Sequence, residues 1–274
     1  MIIEKVLLAT DLSLPSQQLT DDVAEFASMG LEEVVLVYVI DVRSFQRPEP
    51  LLLEQKRAEL EAKGIKVKAV APLGFPAQEI VKIAQQEEVS MIAIASHGEG
   101  FIRKLFLGST VTDVIRLSDL PVMIFKYEDG PYQTHAPIAP HIFKKVLVPL
   151  DFSIHSDNLL QQIKESALLL QEVILLSVID KARNESDLLA SLYEKEHKLA
   201  IVKKDLEQLG LKVKSQFVQG TASLNIMEVA DQEEVSLIAM ATRGEGLIKE
   251  LMLGSTAHAV ARRCKQPLLL IPPR

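Results

Sequence analysis

Three short stretches of this chain bring polar or conformationally free residues to places where a ligand could be held. The first is Thr10-Asp11-Leu12-Ser13, matched by Leu150-Asp151-Phe152-Ser153. The second is Val39-Ile40-Asp41, matched by Val178-Ile179-Asp180. The third runs Ala95-Ser96-His97-Gly98-Glu99-Gly100 and on to Gly108-Ser109-Thr110. Its counterpart runs Ala241-Thr242-Arg243-Gly244-Glu245-Gly246 and on to Gly254-Ser255-Thr256. A glycine such as Gly98 or Gly244 lets backbone N–H groups approach an anion with no Cβ in the way. Gly108-Ser109-Thr110 opens an expected helix over Ser109–Leu117, and the first N–H groups of a helix are unpaired and partly positive. The Ser109, Thr110, Ser255 and Thr256 hydroxyls add donors. The dipole alone contributes roughly 0.3–1 kcal/mol, up to ~2 when partly buried. Micromolar binding takes about 8 kcal/mol. An anion loop of this kind therefore needs a second slot beside it. The plainer reading is that the glycines are turn residues and Ser109 is an N-cap; the second copy of the loop weighs against it.

The elements that position these stretches follow from an internal duplication. Gln85–Thr110 lies over Asp231–Thr256 with 17 of 26 positions identical. Gly108 and Gly254 are 146 residues apart, while Asp11 and Asp151 are 140 apart and Asp41 and Asp180 are 139 apart. The seven residues gained fall between Asp180 and Gly210. They amount to about two helical turns, so a longer helix is expected there. Each copy is domain-sized, at 1–127 and 143–274. A proline-bearing stretch, 128–142, reads as the linker.

Within each copy, short apolar runs alternate with helical periodicity. Lys5–Ala9, Val34–Ile40, Val67–Val70, Met91–Ala95 and Val122–Phe125 read as strands of the first copy. Lys145–Pro149, Val173–Ile179, Val213–Val218, Leu237–Ala241 and Leu268–Ile271 read as strands of the second. Continuous apolar strands are those buried on both faces of a parallel sheet. Leu19, Val23, Phe26 and Ala27 recur at helical spacing, as do Leu159, Ile163, Ala167 and Leu170. Gly64 and Gly210 stand where helix C-caps are expected. The fold class is α/β: two tandem doubly wound domains of five parallel strands. Ligands of such sheets bind beyond the carboxyl ends of the strands, at the switch in strand order. All three stretches named above fall at strand ends of that kind.

The net charge of −7 and the lack of a basic patch argue against a nucleic-acid partner. A single cysteine, Cys264, cannot form an internal disulfide. With no apolar run of ~18–20 residues, no membrane association is expected, and the reading is a cytoplasmic protein. The six histidines show no metal-ligand spacing. The loop is neither a P-loop, since no glycine run ends in Gly-Lys-Ser/Thr, nor a dinucleotide fingerprint, since no third glycine follows Gly100. No nucleophile–base pair can be argued, so no catalytic residue is named.

Asp after strand one, V-I-D after strand two, and S-H-G followed nine residues on by G-S resemble the universal stress protein family. The resemblance covers nearly the whole chain, twice. Nucleotide-binding members carry G-x2-G-x9-G-S/T after strand four. Here Gly98 and Gly108, and Gly244 and Gly254, keep the nine-residue spacing, while Ala95 and Ala241 replace the first glycine. An alanine Cβ there bears on affinity and on how many phosphates fit. The resemblance implies ATP or AMP as ligand, with Mg²⁺ accompanying the nucleotide. Glu99 and Glu245 could help hold that ion, although solvated loop carboxylates are the commoner case. It places Asp11 and Asp151 (with Thr10 beside the first) at the adenine edge and the main chain of Val39 and Val178 along the adenine slot. Ala95, Gly98, Gly108, Ser109 and Thr110, and Ala241, Gly244, Gly254, Ser255 and Thr256, would hold ribose and phosphates. Arg243, adjacent to the loop and always charged, would be a phosphate contact in the second copy. An N-cap role for Asp11 remains the competing reading, and Asp41 and Asp180 read better as loop or capping residues. The resemblance also implies an intramolecular pseudo-dimer through the last strands, with a homodimer of the whole chain a further option. A nucleotide-free partner-binding protein and a slow ATPase are the alternatives in function.

Overall fold

The computed structural model describes residues 3–44, 50–96, 107–127, 141–179, 185–244 and 253–273, the side chains at 50 and 185–192 excepted. The chain divides into two compact units that meet between Pro140 and His141. Ile142, at the end of the stretch read as linker, is fully buried.

The first unit runs β1 (Lys5–Ala9), α1 (Leu14–Glu25), a 3-10 turn (Phe26–Met29), β2 (Glu33–Val37), β3 (Ile40–Asp41) and α2 (Pro50–Glu61). It continues with β4 (Lys66–Val70), β5 (Leu73–Gly74), α3 (Pro76–Gln86), β6 (Met91–Ala95), α4 (Ser109–Leu117) and β7 (Val122–Phe125). The second runs β8 (Lys145–Pro149), α5 (Ile154–Glu165), β9 (Glu172–Ile179), α6 (Glu185–Gln208), β10 (Lys212–Gln219), α7 (Ala222–Gln232), β11 (Leu237–Ala241), α8 (Ser255–Arg263) and β12 (Leu268–Ile271). All pairings within each unit's main sheet are parallel. The order is β4-β2-β1-β6-β7 in the first and β10-β9-β8-β11-β12 in the second. Right-handed crossovers then put α1 and α2 on one face and α3 and α4 on the other; α1 packs with α2, and α3 with α4. The order reverses at β1, which lies between β2 and β6. The crevice at the carboxyl ends of β1 and β6 is the switch point.

The central strands are buried as their composition dictates. Val6, Leu7 and Leu8 of β1, Val34–Leu36 of β2 and Met91–Ala93 of β6 are closed to solvent, as are Val146–Val148 of β8 and Val173–Leu176 of β9. Each such Val, Leu, Ile or Met side chain contributes about 1.5–3 kcal/mol by leaving water. Gly64 (φ +82°) and Gly210 (φ +86°) close α2 and α6 in the left-handed conformation, which costs any residue with a Cβ. The helix α6, at 24 residues, is longer than α2, at 12. That is where the inserted residues fall.

One expectation is corrected. Val34–Ile40 is not a single strand: β2 stops at Val37, and pairing resumes only at Ile40 as β3 against β5. The cause is Pro72. Tyr38 donates to Val70 O at 3.1 Å and Ile40 donates to Pro72 O at 2.8 Å, but Pro72 has no N–H to return. Val218 stands at the matching position, and β9 and β10 pair without a break through Ile179 and Gln219.

Both sheets carry the same ion-pair cluster at the end away from the crevice. Lys5 on β1 bridges Glu33 on β2 (3.1 Å) and Glu87 after α3 (3.3 Å), Lys66 on β4 joins Glu33 (2.9 Å), and Lys68 joins Glu87 (2.6 Å). In the second unit, Lys145 pairs with Glu233 (3.2 Å), Lys212 with Glu172 (3.0 Å), and Lys214 with both (2.9 and 3.5 Å). Tyr127, two residues beyond β7, donates its buried hydroxyl to Asp22 Oδ2 of α1 at 2.7 Å. Burial, with the Asp22 charge beside it, pushes that phenol well above its ordinary range.

Candidate functional site

The aspartate loop after the first strand has the same construction in both units. Asp11 Oδ1 accepts the Ser13 N–H (3.0 Å), the Ser13 hydroxyl (2.5 Å) and the Ser16 hydroxyl (2.5 Å). Asp151 Oδ1 accepts the Ser153 N–H (3.0 Å) and the Ser156 hydroxyl (2.7 Å). One carboxylate oxygen thus closes an Asx turn onto the helix start. The second oxygen of Asp11 takes no hydrogen bond among the described residues, and Asp11 is exposed. Capping and ligand contact are therefore compatible, one oxygen for each. The turn holds Leu12 at φ +64° and Phe152 at φ +62°, a conformation costing a branched or bulky residue ~1–2 kcal/mol. Strain repeated at the same point of both units is a mark of functional loops. The spacing D-x-S-x-x-S, shared by Asp11/Ser13/Ser16 and Asp151/Ser153/Ser156, is the signal that sequence reading passed over.

The units differ around this turn. Thr10 Oγ1 accepts the Leu12 N–H at 3.0 Å; Leu150 in its place is buried. The Ser153 hydroxyl is buried with no partner among the described residues, whereas the Ser13 hydroxyl is spent on Asp11. At the end of β2, Tyr38 lies within reach of the Asp11 charge. Burial and that carboxylate together raise the phenol's pKa. The second unit has the buried Ser177 there.

The main chain of the second strand faces the same crevice. Thr10 donates to Val37 O at 2.9 Å, so Val37 points toward β1 and Tyr38, bonded to Val70, points toward β4. Alternation along a strand then turns Val39 back toward β1, beyond that strand's end. No main-chain hydrogen bond uses the Val39 N–H or C=O among the described residues. The second unit repeats the pattern. Leu150 donates to Leu176 O at 2.8 Å, and Gly220 donates to Ile179 O at 3.0 Å, which leaves Val178 facing past the end of β8. An adjacent donor and acceptor at a strand end can read the edge of a heterocyclic base.

The third stretch supplies the anion-binding end. Gly108 donates to Ser96 O (2.9 Å), and Gly254 donates to Thr242 O (2.8 Å). These bonds tie the starts of α4 and α8 to the ends of β6 and β11. The first intrahelical bonds come from Thr112 to Gly108 O and from His258 to Gly254 O. The N–H groups of Ser109, Thr110 and Val111 lie ahead of that bond, and those of Ser255, Thr256 and Ala257 do likewise. Neither helix has a side-chain cap among the described residues. Ser109 and Ser255 are exposed, Thr110 and Thr256 partly so, and Ala95 is buried. Arg243 and Gly244 lie at the end of β11, half-buried. Gly98, with His97, Glu99, Glu245 and Asp180, lies outside the described residues.

Two residues at and just beyond the end of the second strand were given no binding role by sequence reading. Arg43 lays its guanidinium on Asp41, with Nε 2.9 and 3.0 Å from the two carboxylate oxygens and Nη2 also bonded to Oδ2. The Arg43 guanidinium holds the Asp41 carboxyl below its ordinary range. Asp41 also accepts the Arg43 N–H at 2.9 Å, the loop role expected of it. Tyr38 is the other; an isolated tyrosine inside an apolar run gives no sign that it will stand beside an aspartate 27 residues away.

The comparisons with known proteins agree with this architecture. A universal stress protein of Methanocaldococcus jannaschii, MJ0577, is 31% identical over 157 residues, which is 46% of this chain and 97% of that one. A universal stress protein structure from Archaeoglobus fulgidus is 26% identical, covers 98% of this chain and 96% of its own, and superposes with a TM-score of 0.72. A Pseudomonas aeruginosa structure, 15% identical over 99% of this chain and 94% of its own with a TM-score of 0.71, shares the fold. The model of the Universal stress protein family matches twice, over residues 3–126 and 142–272, and the chain belongs to that family as a tandem two-domain member.

Proposed function

We propose that each domain binds an adenine nucleotide, ATP or AMP, at the carboxyl end of its sheet, and that the protein acts in stress response or signalling through that binding. The observation that carries this reading is the shared register of Val39 and Val178. In both units an open donor–acceptor pair faces the crevice, with an aspartate on one side and a bare helix start on the other. Adenine presents an acceptor and an amino donor on one edge, which complements such a pair. Asp11 and Asp151 would meet the amino group. The N–H groups and hydroxyls at Ser109-Thr110 and Ser255-Thr256, with the glycine loops before them, would take the phosphates. Mg²⁺ would enter with the nucleotide's phosphates, supplying charge neutralisation there. Fast phosphoryl transfer needs a positioned base, metal ligands and a charge clamp together; binding asks for none of these.

Acid extraction of the purified full chain followed by mass spectrometry tests the reading. AMP, ADP or ATP in the extract, or saturable calorimetric titration with any of the three, supports it. An empty extract with flat titrations of all three contradicts it.

A further inference from the structure

We infer that the two domains divide nucleotides by phosphate charge, the first preferring a nucleoside monophosphate and the second a nucleoside triphosphate. The inference rests on the nucleotide reading above and assigns a ligand class to each site. It comes from α4 and α8, whose starts would meet the phosphates. Both helices open on Ser-Thr and carry an arginine seven residues after the serine, Arg116 and Arg262. They bury matching positions: Val111, Val114 and Ile115 in α4, and Ala257, Val260 and Ala261 in α8. What differs is the face that carries the starting serine. Residues three and four places on share that face, with Cβ atoms about 5–6 Å apart. Beyond Ser109 these are Thr112 and Asp113; beyond Ser255 they are His258 and Ala259.

Helical side chains lean toward the helix N-terminus. Asp113, about 6 Å along the axis from Ser109, therefore sets its carboxylate toward the anion end of its own site. Its pair with Arg116 is 3.5 Å long and exposed at both ends, so the arginine offsets that charge only in part. Thr112 adds no donor, because its hydroxyl is spent on Gly108 O at 3.0 Å. In α8 an alanine replaces the acid, and His258 offers a ring N–H in either protonation state. Arg263 stands where α4 has Leu117. One acid against one arginine gives α4 a formal charge of zero; two arginines and no acid give α8 +2 with His258 neutral. Arg243, half-buried at the end of β11, adds to the second site's positive charge. Each further phosphate is thus repelled by Asp113 in one domain and attracted in the other. A unit charge about 10 Å away near a protein surface changes affinity by about two- to fourfold, which makes this a preference and not an exclusion.

The test is calorimetric titration of the full chain with ATP and with AMP, without divalent metal. A Ser255→Glu background leaves the first site to be read, and a Ser109→Glu background leaves the second. The first site should show the lower ratio of ATP to AMP affinity. Asp113→Asn should raise that ratio about threefold, and Ala259→Asp should lower the second site's ratio by a similar factor. Salt at about 0.5 M should shrink both changes. Equal ratios in the two backgrounds, or ratios that neither substitution moves, overturn the division of ligands. Changes that persist undiminished in high salt overturn charge as its cause. Asp113 is exposed, so Asp113→Asn should melt with its parent; a shifted melt with an unchanged ratio assigns Asp113 to the helix instead. A wild-type chain that binds neither nucleotide overturns the site reading as well, whereas intact binding with equal ratios overturns the division alone.

Discussion

Asp151 and Gly244 touch across the crevice of the second domain: a Cβ placed on residue 244 would overlap Asp151 Oδ2. In that domain the loop after the first strand and the start of the loop after the fourth are therefore neighbours. Glycine at 244 answers to the carboxylate beside it, since its backbone needs no left-handed angle there. Gly244→Ala should lower stability by about 1–3 kcal/mol, the usual cost of overpacking. Asp151→Ala should relieve the overlap. The double variant should then be more stable than the sum of the singles by ~0.5–3 kcal/mol, read from urea midpoints. Strict additivity would show that the two residues do not meet.

Glu88 and Glu234 follow α3 and α7 at φ +52° and +51°, both exposed. They occupy the helix-ending position that glycine fills best. Glu88→Gly and Glu234→Gly should each stabilise the protein by about 1 kcal/mol, measured by chemical unfolding. A loss of stability in either would contradict the assigned backbone conformation.

The duplicated ion cluster makes stability fall in acid. Hydrogen bonds from Lys66 and Lys5 depress Glu33, and those from Lys68 and Lys5 depress Glu87. Lys214 and Lys145 depress Glu233. Glu172 is opposed by burial but lowered in net by Lys212 and its neighbours. Carboxylates with depressed folded values stabilise fully above the unfolded value near 4.5 and lose that contribution as pH drops through the folded value. Lys214 has a raised value, chiefly through Glu233, so its contribution persists below 10.5 and is lost as pH climbs past the folded value. Urea midpoints should fall on acidification below about pH 4.5. Gln at all four glutamates should flatten that slope, and 1 M salt should shrink it. An unchanged slope in the quadruple variant would place the acid sensitivity elsewhere.

The sequence carried most of this in its repeats and its punctuation. Gly108-Ser109 marked the first turn of α4 to the residue, because glycine before a hydroxyl is a strong helix-start signal and nothing tertiary overrides it. Gly64 and Gly210 marked helix ends for the corresponding reason. The break at Tyr38 was hidden because its cause, Pro72, sits on another strand, and periodicity along one segment carries no record of a neighbour's missing N–H. The dual use of Asp11, one oxygen closing the turn and one facing outward, was posed by sequence as a choice between capping and contact, and the geometry makes the two compatible.

Binding stoichiometry tests the two-site account most directly. Native mass spectrometry of the full chain with excess ATP or AMP should show two nucleotides per chain. Ser109→Glu or Ser255→Glu, each setting a negative charge at one helix start, should leave one, and the pair together none. Occupancy that never exceeds zero, or that stays at two in the doubly substituted chain, would contradict it.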